Sequence, residues 1–157
     1  MKKSLFPLFL LLTLLTSCGS ADLVENIFTT HPWHLMEYYY TPDWNGSQSN
    51  PVPFEGDYVT GFDLHTIYFN DNGQCTIYFP NHCVVTGTWF ADGSTREMHF
   101  SSLRFTQGSA AALDVYSQKM FARLQTVGWY RGDSNVLALF DDDRHNFMQF
   151  ENAEIIH

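Results

Sequence analysis

The sequence predicts a mainly β (α+β) fold: a single antiparallel meander, a partly closed barrel-like sheet, with one amphipathic helix packed on it. Three observations carry that reading. Short β-branched and aromatic runs recur from Trp33 to Glu151, separated by Asn, Asp, Gly and Pro. One stretch in the second half, from Ser109 to Gln125, instead spaces its apolar residues as a helix does. Aromatic side chains make up 17% of the chain, which suits a thick sheet core, a ring-lined surface, or both.

The chain opens with Met1-Lys2-Lys3 and an apolar run, Leu5 to Leu15, interrupted by Pro7 and Thr13. That run is shorter than the ~20 residues a membrane-spanning helix requires, and it reads as a signal peptide. Leu15-Thr16-Ser17-Cys18 resembles the lipobox of bacterial lipoprotein precursors, in which the cysteine is acylated and becomes the new first residue. Residues 1–17 are therefore expected to be removed and Cys18 to carry the lipid; several acyl chains at ~0.8 kcal/mol per buried CH₂ make a lasting anchor. Gly19, in place of an aspartate, resembles lipoproteins sent on to an outer membrane. Residues 18–30 are read as a lipidated tether with room for a turn of helix, and 31–157 as one domain.

Cleavage removes two of the eight basic residues, leaving six against 17 acidic ones, a net charge of −11. Such a chain repels nucleic acid and anionic headgroups, so nucleic acid is excluded as a partner.

Trp33 to Tyr40 is the first strand, with Leu35, Glu37 and Tyr39 expected on one face and His34, Met36, Tyr38 and Tyr40 on the other. Thr41 to Asp63 is a long Pro-, Gly-, Asn- and Ser-rich loop with a strand fragment at Tyr58-Val59, of a length usually functional or disordered. His65–Phe69 and Gln74–Phe79 flank Asn70-Asp71-Asn72-Gly73, whose Asn-Gly pair suits a hairpin turn. Pro80-Asn81-His82 turns the chain into Cys83–Phe90, and Asp92-Gly93 turns it again into strands around Met98–Phe100 and Leu103–Phe105. Leu113, Tyr116, Met120 and Leu124 form the helical stripe, with Ser109 as expected N-cap and Phe121 widening the apolar face. Val127–Tyr130 and Val136–Phe140 make a hairpin around Gly132–Asn135, and His145–Glu151 closes the sheet after Asp141-Asp142-Asp143.

A tight Pro80–His82 loop sets Phe79 opposite Cys83 and Cys75 opposite Gly87. The two sulfurs then lie about 13 Å apart along the sheet, beyond the ~7 Å Cα limit for a disulfide. The default is two separate small core residues, or one thiol near the surface; a bridge would need a wide loop that gives up the Thr76 to Phe79 pairing.

Taken in order, these parts resemble the META domain (HslJ-like) family of bacterial envelope lipoproteins from Trp33 to about Phe150. The matching features are Trp33-x-Leu35, Ile67-Tyr68-Phe69 running into Gly73, Cys83 followed by Gly87-x-Trp89, Phe121-x-x-Leu124-x-x-Val127-x-x-Tyr130, Leu137-x-Leu139-x-Asp141 and Phe150. The chain departs from that pattern around the cysteine, where His82 precedes, Val84 follows and Gly87 stands four residues on. It is also similar to lipocalin-like β-barrel lipoproteins, which share the Trp-x-Leu start and a Gly-x-Trp strand. The META resemblance implies an envelope-stress or assembly accessory without a defined activity.

No cofactor and no metal are expected. His31-Pro32-Trp33-His34 has a ligand-like spacing, but proline fixes the backbone between the pair and no Cys or carboxylate stands close by in sequence. Asp141–Asp143 lacks the glycine and terminal glutamate of a calcium loop. No nucleophile elbow, His-Glu-x-x-His or phosphate loop is present, so an enzyme is not expected. Two functions from different classes follow. The first is a membrane-anchored envelope accessory that docks on another envelope protein. The second is a small-ligand or carbohydrate-binding module in which Tyr38, Tyr40, Trp44, Phe54, Tyr58 and Trp129 stack on a sugar or an apolar molecule; Trp33 and Trp89 are assigned to the core. Rings that line one concave pocket would favour the module.

Overall fold

The computed structural model describes residues 20–53 and 65–154. Its elements are α1 (Ser20–Thr29), β1 (Trp33–Tyr40), β2 (Asn50–Pro51), β3 (Thr66–Phe69), β4 (Gln74–Phe79), β5 (Cys83–Ala91), β6 (Met98–Gln107), α2 (Val115–Leu124), β7 (Val127–Gly132), β8 (Val136–Asp141) and β9 (Asn146–Asn152). A 3₁₀ turn at Ala110–Ala112 leads into α2. Cys18, Phe54, Tyr58 and the Tyr58-Val59 fragment lie outside the described residues.

All nine strands form one antiparallel sheet in the order β6-β5-β4-β3-β1-β9-β8-β7, with β2 beside the far half of β1. The order is that of an up-and-down meander whose first strand also pairs with its last: Leu35 stands opposite Phe150 and Tyr39 opposite Phe147. The sheet curls until its two edges touch without closing. A lone bridge joins Glu97 to Trp129, and Tyr130 N donates to Arg96 O at 3.0 Å. His99 Nδ1 lies 3.2 Å from Val127 O. Beyond that corner β6 continues as a free edge, and α2 packs there: Phe121 meets Phe105 at 5.1 Å and Phe79 at 6.4 Å.

Inside the curl sit Trp33, Leu35, Tyr38, Ile67, Ile77, Val85, Met98, Tyr130, Leu137 and Phe150, and α2 adds Tyr116, Met120 and Leu124 from the expected stripe. The hairpins follow the sequence reading. Asn70 N donates to Gln74 O, and Gly73 holds a φ of +76°, a conformation glycine adopts without a Cβ penalty. Cys75 stands opposite Gly87 and Phe79 opposite Cys83, and both thiols are free and buried. Burial pushes the Cys75 thiol up to about 12, so it stays protonated and inert.

Three local expectations are corrected. A bulge between Leu35 and Glu37 breaks the alternation of β1, so Leu35 and Tyr38 share the inner face and Tyr39 turns outward. The N-cap of α2 is Asp114, whose carboxylate accepts from Ser117 N at 2.7 Å; Ser109 caps only the 3₁₀ turn and makes no side-chain bond. The segment read as a tether contains a ten-residue helix, α1, and Phe28 on it is fully buried in the core.

Candidate functional site

The four candidate rings among the described residues, Tyr38, Tyr40, Trp44 and Trp129, do not converge on one place. Tyr38 is wholly inside: its hydroxyl donates to Tyr116 O at 3.2 Å, and Lys119 Nζ stands 4.2 Å from its ring centroid. Burial, and then the neighbouring Tyr116, raises its pKa far above the usual phenol value. Tyr40, at the end of β1, is exposed and stacks on His145 with centroids 5.8 Å apart. Phe54 and Tyr58 are outside the described residues. Trp44 and Trp129 do meet, at 6.0 Å and near edge-on.

Their meeting point is built by strand register. Tyr39, Phe147, Phe140 and Trp129 are direct cross-strand partners on β1, β9, β8 and β7. They form one row of aromatic side chains across the outer face of four neighbouring strands. Tyr39 stacks on Phe147 at 5.2 Å, and Phe147 lies 4.6 Å from Phe140. Buried Ala138 belongs to the same small cluster.

Over this row the β1–β2 loop sets Trp44, edge-on to Phe140 at 5.4 Å. The loop is tightly constructed. The buried Thr41 hydroxyl lies 2.8 Å from Asp43 O and 2.7 Å from Gln48 O, and Thr41 N donates to His145 O at 2.8 Å. Asn45 N donates to the Asp43 carboxylate at 2.9 Å. Arg131, on β7, donates to the carbonyls of both Trp44 and Gly46, fixing the loop tip to the sheet.

The acidic β8–β9 turn completes the patch. Arg144 holds a φ of +62° there, and its guanidinium sits 3.5 Å from the Trp129 ring centroid and 5.0 Å from that of Trp44. This cation–π contact joins strand ring to loop ring. Beneath it the Asp141 and Asp143 carboxyls share a hydrogen bond: burial holds Asp141 above the usual carboxylate range, and the bond from Asp141 holds Asp143 below it. Arg144, Arg131, Tyr39, Phe140 and Phe147 were not among the sequence candidates. The one signal for Arg144 was a lone cation directly after three aspartates, between two aromatic strands.

A serine–histidine contact exists on the opposite side of the core. His65 Nε2 lies 2.8 Å from Ser117 Oγ, with the α2 cap Asp114 nearby. Burial, opposed in part by Asp114, lowers the His65 pKa to about 4. The imidazole is thus neutral at pH 7 and has the form of a base, but Ser117 is fully buried and no substrate reaches it in this conformation. The contact ties α2 to the residue that leads into β3. Among the described residues no group of three or more His, Cys, Asp or Glu is placed to hold a metal, and no helix is long and apolar enough to cross a membrane. His31 meets Trp33 edge-on, with ring centroids 4.5 Å apart.

Comparison with known proteins corrects the kinship. No curated protein matches the chain. A solved structure, a DUF4847 family protein from Bacteroides vulgatus ATCC 8482, is similar with a TM-score of 0.63 and 26% identity, over 82% of this chain and 96% of that one. The META domain assignment is overturned, because its matching features are strand-alternation and hairpin patterns that any meander around a helix supplies. The model of the family described as "Domain of unknown function (DUF4847)" matches residues 20–152, from the first turn of α1 to the end of β9, and the chain belongs to that family.

Proposed function

We propose that the protein is a lipid-anchored, non-catalytic module of the bacterial cell envelope, held at the outer membrane through Cys18, that works by docking on another envelope protein through the Trp44–Trp129–Arg144 patch. The observation that carries this reading is the preorganisation of the patch. Two tryptophans and an arginine, residue types that concentrate binding energy at interfaces, are fixed by the sheet row below and by Arg131 from the side. A partner meeting rings already in place loses little conformational entropy.

The same geometry favours docking over stacking on a sugar. A sugar needs a bare ring face, and the Arg144 guanidinium already covers one face of Trp129. The acidic mature chain adds long-range attraction for a basic partner surface.

A photo-crosslinking amino acid at Ser47, an exposed position of the same loop, tests this in intact cells. One discrete adduct is expected, reduced at least tenfold by Arg144→Ala and unchanged by Arg104→Ala on remote β6. No adduct, or an adduct indifferent to Arg144→Ala, contradicts the docking surface.

A further inference from the structure

Helix α1 lies across one end of the curled sheet and closes it with one side chain. Phe28 is fully buried, and its ring is 5.0 Å from each of Phe69, Trp89 and Tyr130, which come from β3, β5 and β7. Three different strands therefore form a ring-lined box around a single benzyl group.

Among the described side chains of α1, Val24, Ile27 and Phe28 join the core, and Trp33 Nε1 on the sheet donates to Phe28 O at 3.2 Å. Clefts run along both flanks of α1. One, of about 420 Å³, is lined by Val24, Asp71, Trp89 and Phe90; the other, of about 370 Å³, by Val24, Ile27, Arg96 and Tyr130. Both also touch Gly93, so α1 is what separates them. With α1 lifted they join into one mouth whose floor is the ring box.

The segment behind the helix marks where it would pivot. Ala153 N donates to Pro32 O at 3.0 Å, which pins the chain from Pro32 onward. Just before it, His31 is 7% exposed and neither of its ring nitrogens has a hydrogen-bond partner. A buried polar group left unpaired is costly, and the closed position of α1 carries that cost. Lifting the segment would return the imidazole to water.

We infer that this end of the curled sheet is a binding site for an aromatic ring, and that Phe28 of α1 is its resident, displaceable occupant. The ligand class follows from the box: an uncharged ring of benzyl size, flanked by planar rings on three sides, with the nearby Arg96 guanidinium already set over the Tyr130 ring at 5.4 Å. The site is separate from the outer patch and does not rest on the docking reading.

Hydrogen exchange of the full mature chain, with and without the neutral aromatic probe N-phenyl-1-naphthylamine, tests the inference. The amides of α1 are expected to exchange at least tenfold faster than those of β8 and β9, through an opening that leaves the curled sheet folded. The probe should bind the native chain with fluorescence enhancement and speed α1 exchange at least a further threefold. Phe28→Ala, where it folds, should bind the probe at least tenfold more tightly. If α1 is protected as strongly as β8 and β9, opening only on global unfolding, or if the probe leaves α1 exchange unchanged, the inference is overturned whatever the variant does.

Discussion

Tyr38 shows how one inserted residue redirects a side chain. Strict alternation along β1 sets it opposite Leu35, but the bulge at Leu35/Glu37 returns it to the inner face. Nothing in the residues Trp33 to Tyr40 announces a bulge, because it is imposed by pairing with β9. Tyr38→Phe is expected to cost about 1 kcal/mol in chemical denaturation, through loss of the bond to Tyr116 O, and to leave the Ser47 crosslink intact.

His65 carries the clearest pH dependence at this scale. Its folded pKa is about 4, against an ordinary value of 6.5, and desolvation by burial is the largest cause. As pH falls, the unfolded chain takes up this proton first. Stability from this group is therefore complete above pH 6.5 and is lost as pH falls towards 4. Between pH 7.5 and 4.5 the loss is expected to reach at most about 2.5 kcal/mol. The measurement is the difference in denaturation free energy between wild type and His65→Asn, since asparagine tolerates the positive φ at that position; an identical pH slope in both would contradict the assignment.

At the scale of elements, α2 was legible as a stripe and misread at its start. Leu113, Tyr116, Met120 and Leu124 are all buried as their spacing requires. Ser109 was the expected cap because serine precedes the alanine run, yet the chain makes a 3₁₀ turn first and Asp114 takes the cap. Asp114→Ala is expected to lower stability by about 1 kcal/mol, read as a shift of the denaturation midpoint with an unchanged slope.

Helix α1 was legible only in part. Val24, Ile27 and Phe28 have helical spacing, but a short mixed decapeptide directly after a lipobox-like run looks like a tether until the end of a curled sheet is there to receive it. The aromatic row was less legible still. Tyr39, Phe140, Phe147 and Trp129 are far apart in sequence, and only the register of three strand pairs aligns them.

For the whole molecule, the β class, the hairpin order and the single amphipathic helix of the second half were readable because turn chemistry and alternation are local signals. Kinship was not, because many unrelated meanders share those signals, and the family match replaces the META resemblance with DUF4847. The proposed function joins a proposed lipid anchor at Cys18 to the preformed patch of Trp44, Trp129 and Arg144. Its scale is that of a membrane-held domain meeting a neighbour, and it fails first if the domain is not held there.

The intact mass of the mature chain, extracted with detergent from native membranes, tests that most directly. The expected product begins at Cys18 and carries a diacylglyceryl group and an amide-linked acyl chain. A soluble product with an unmodified Cys18 thiol, or one cleaved elsewhere, would contradict it.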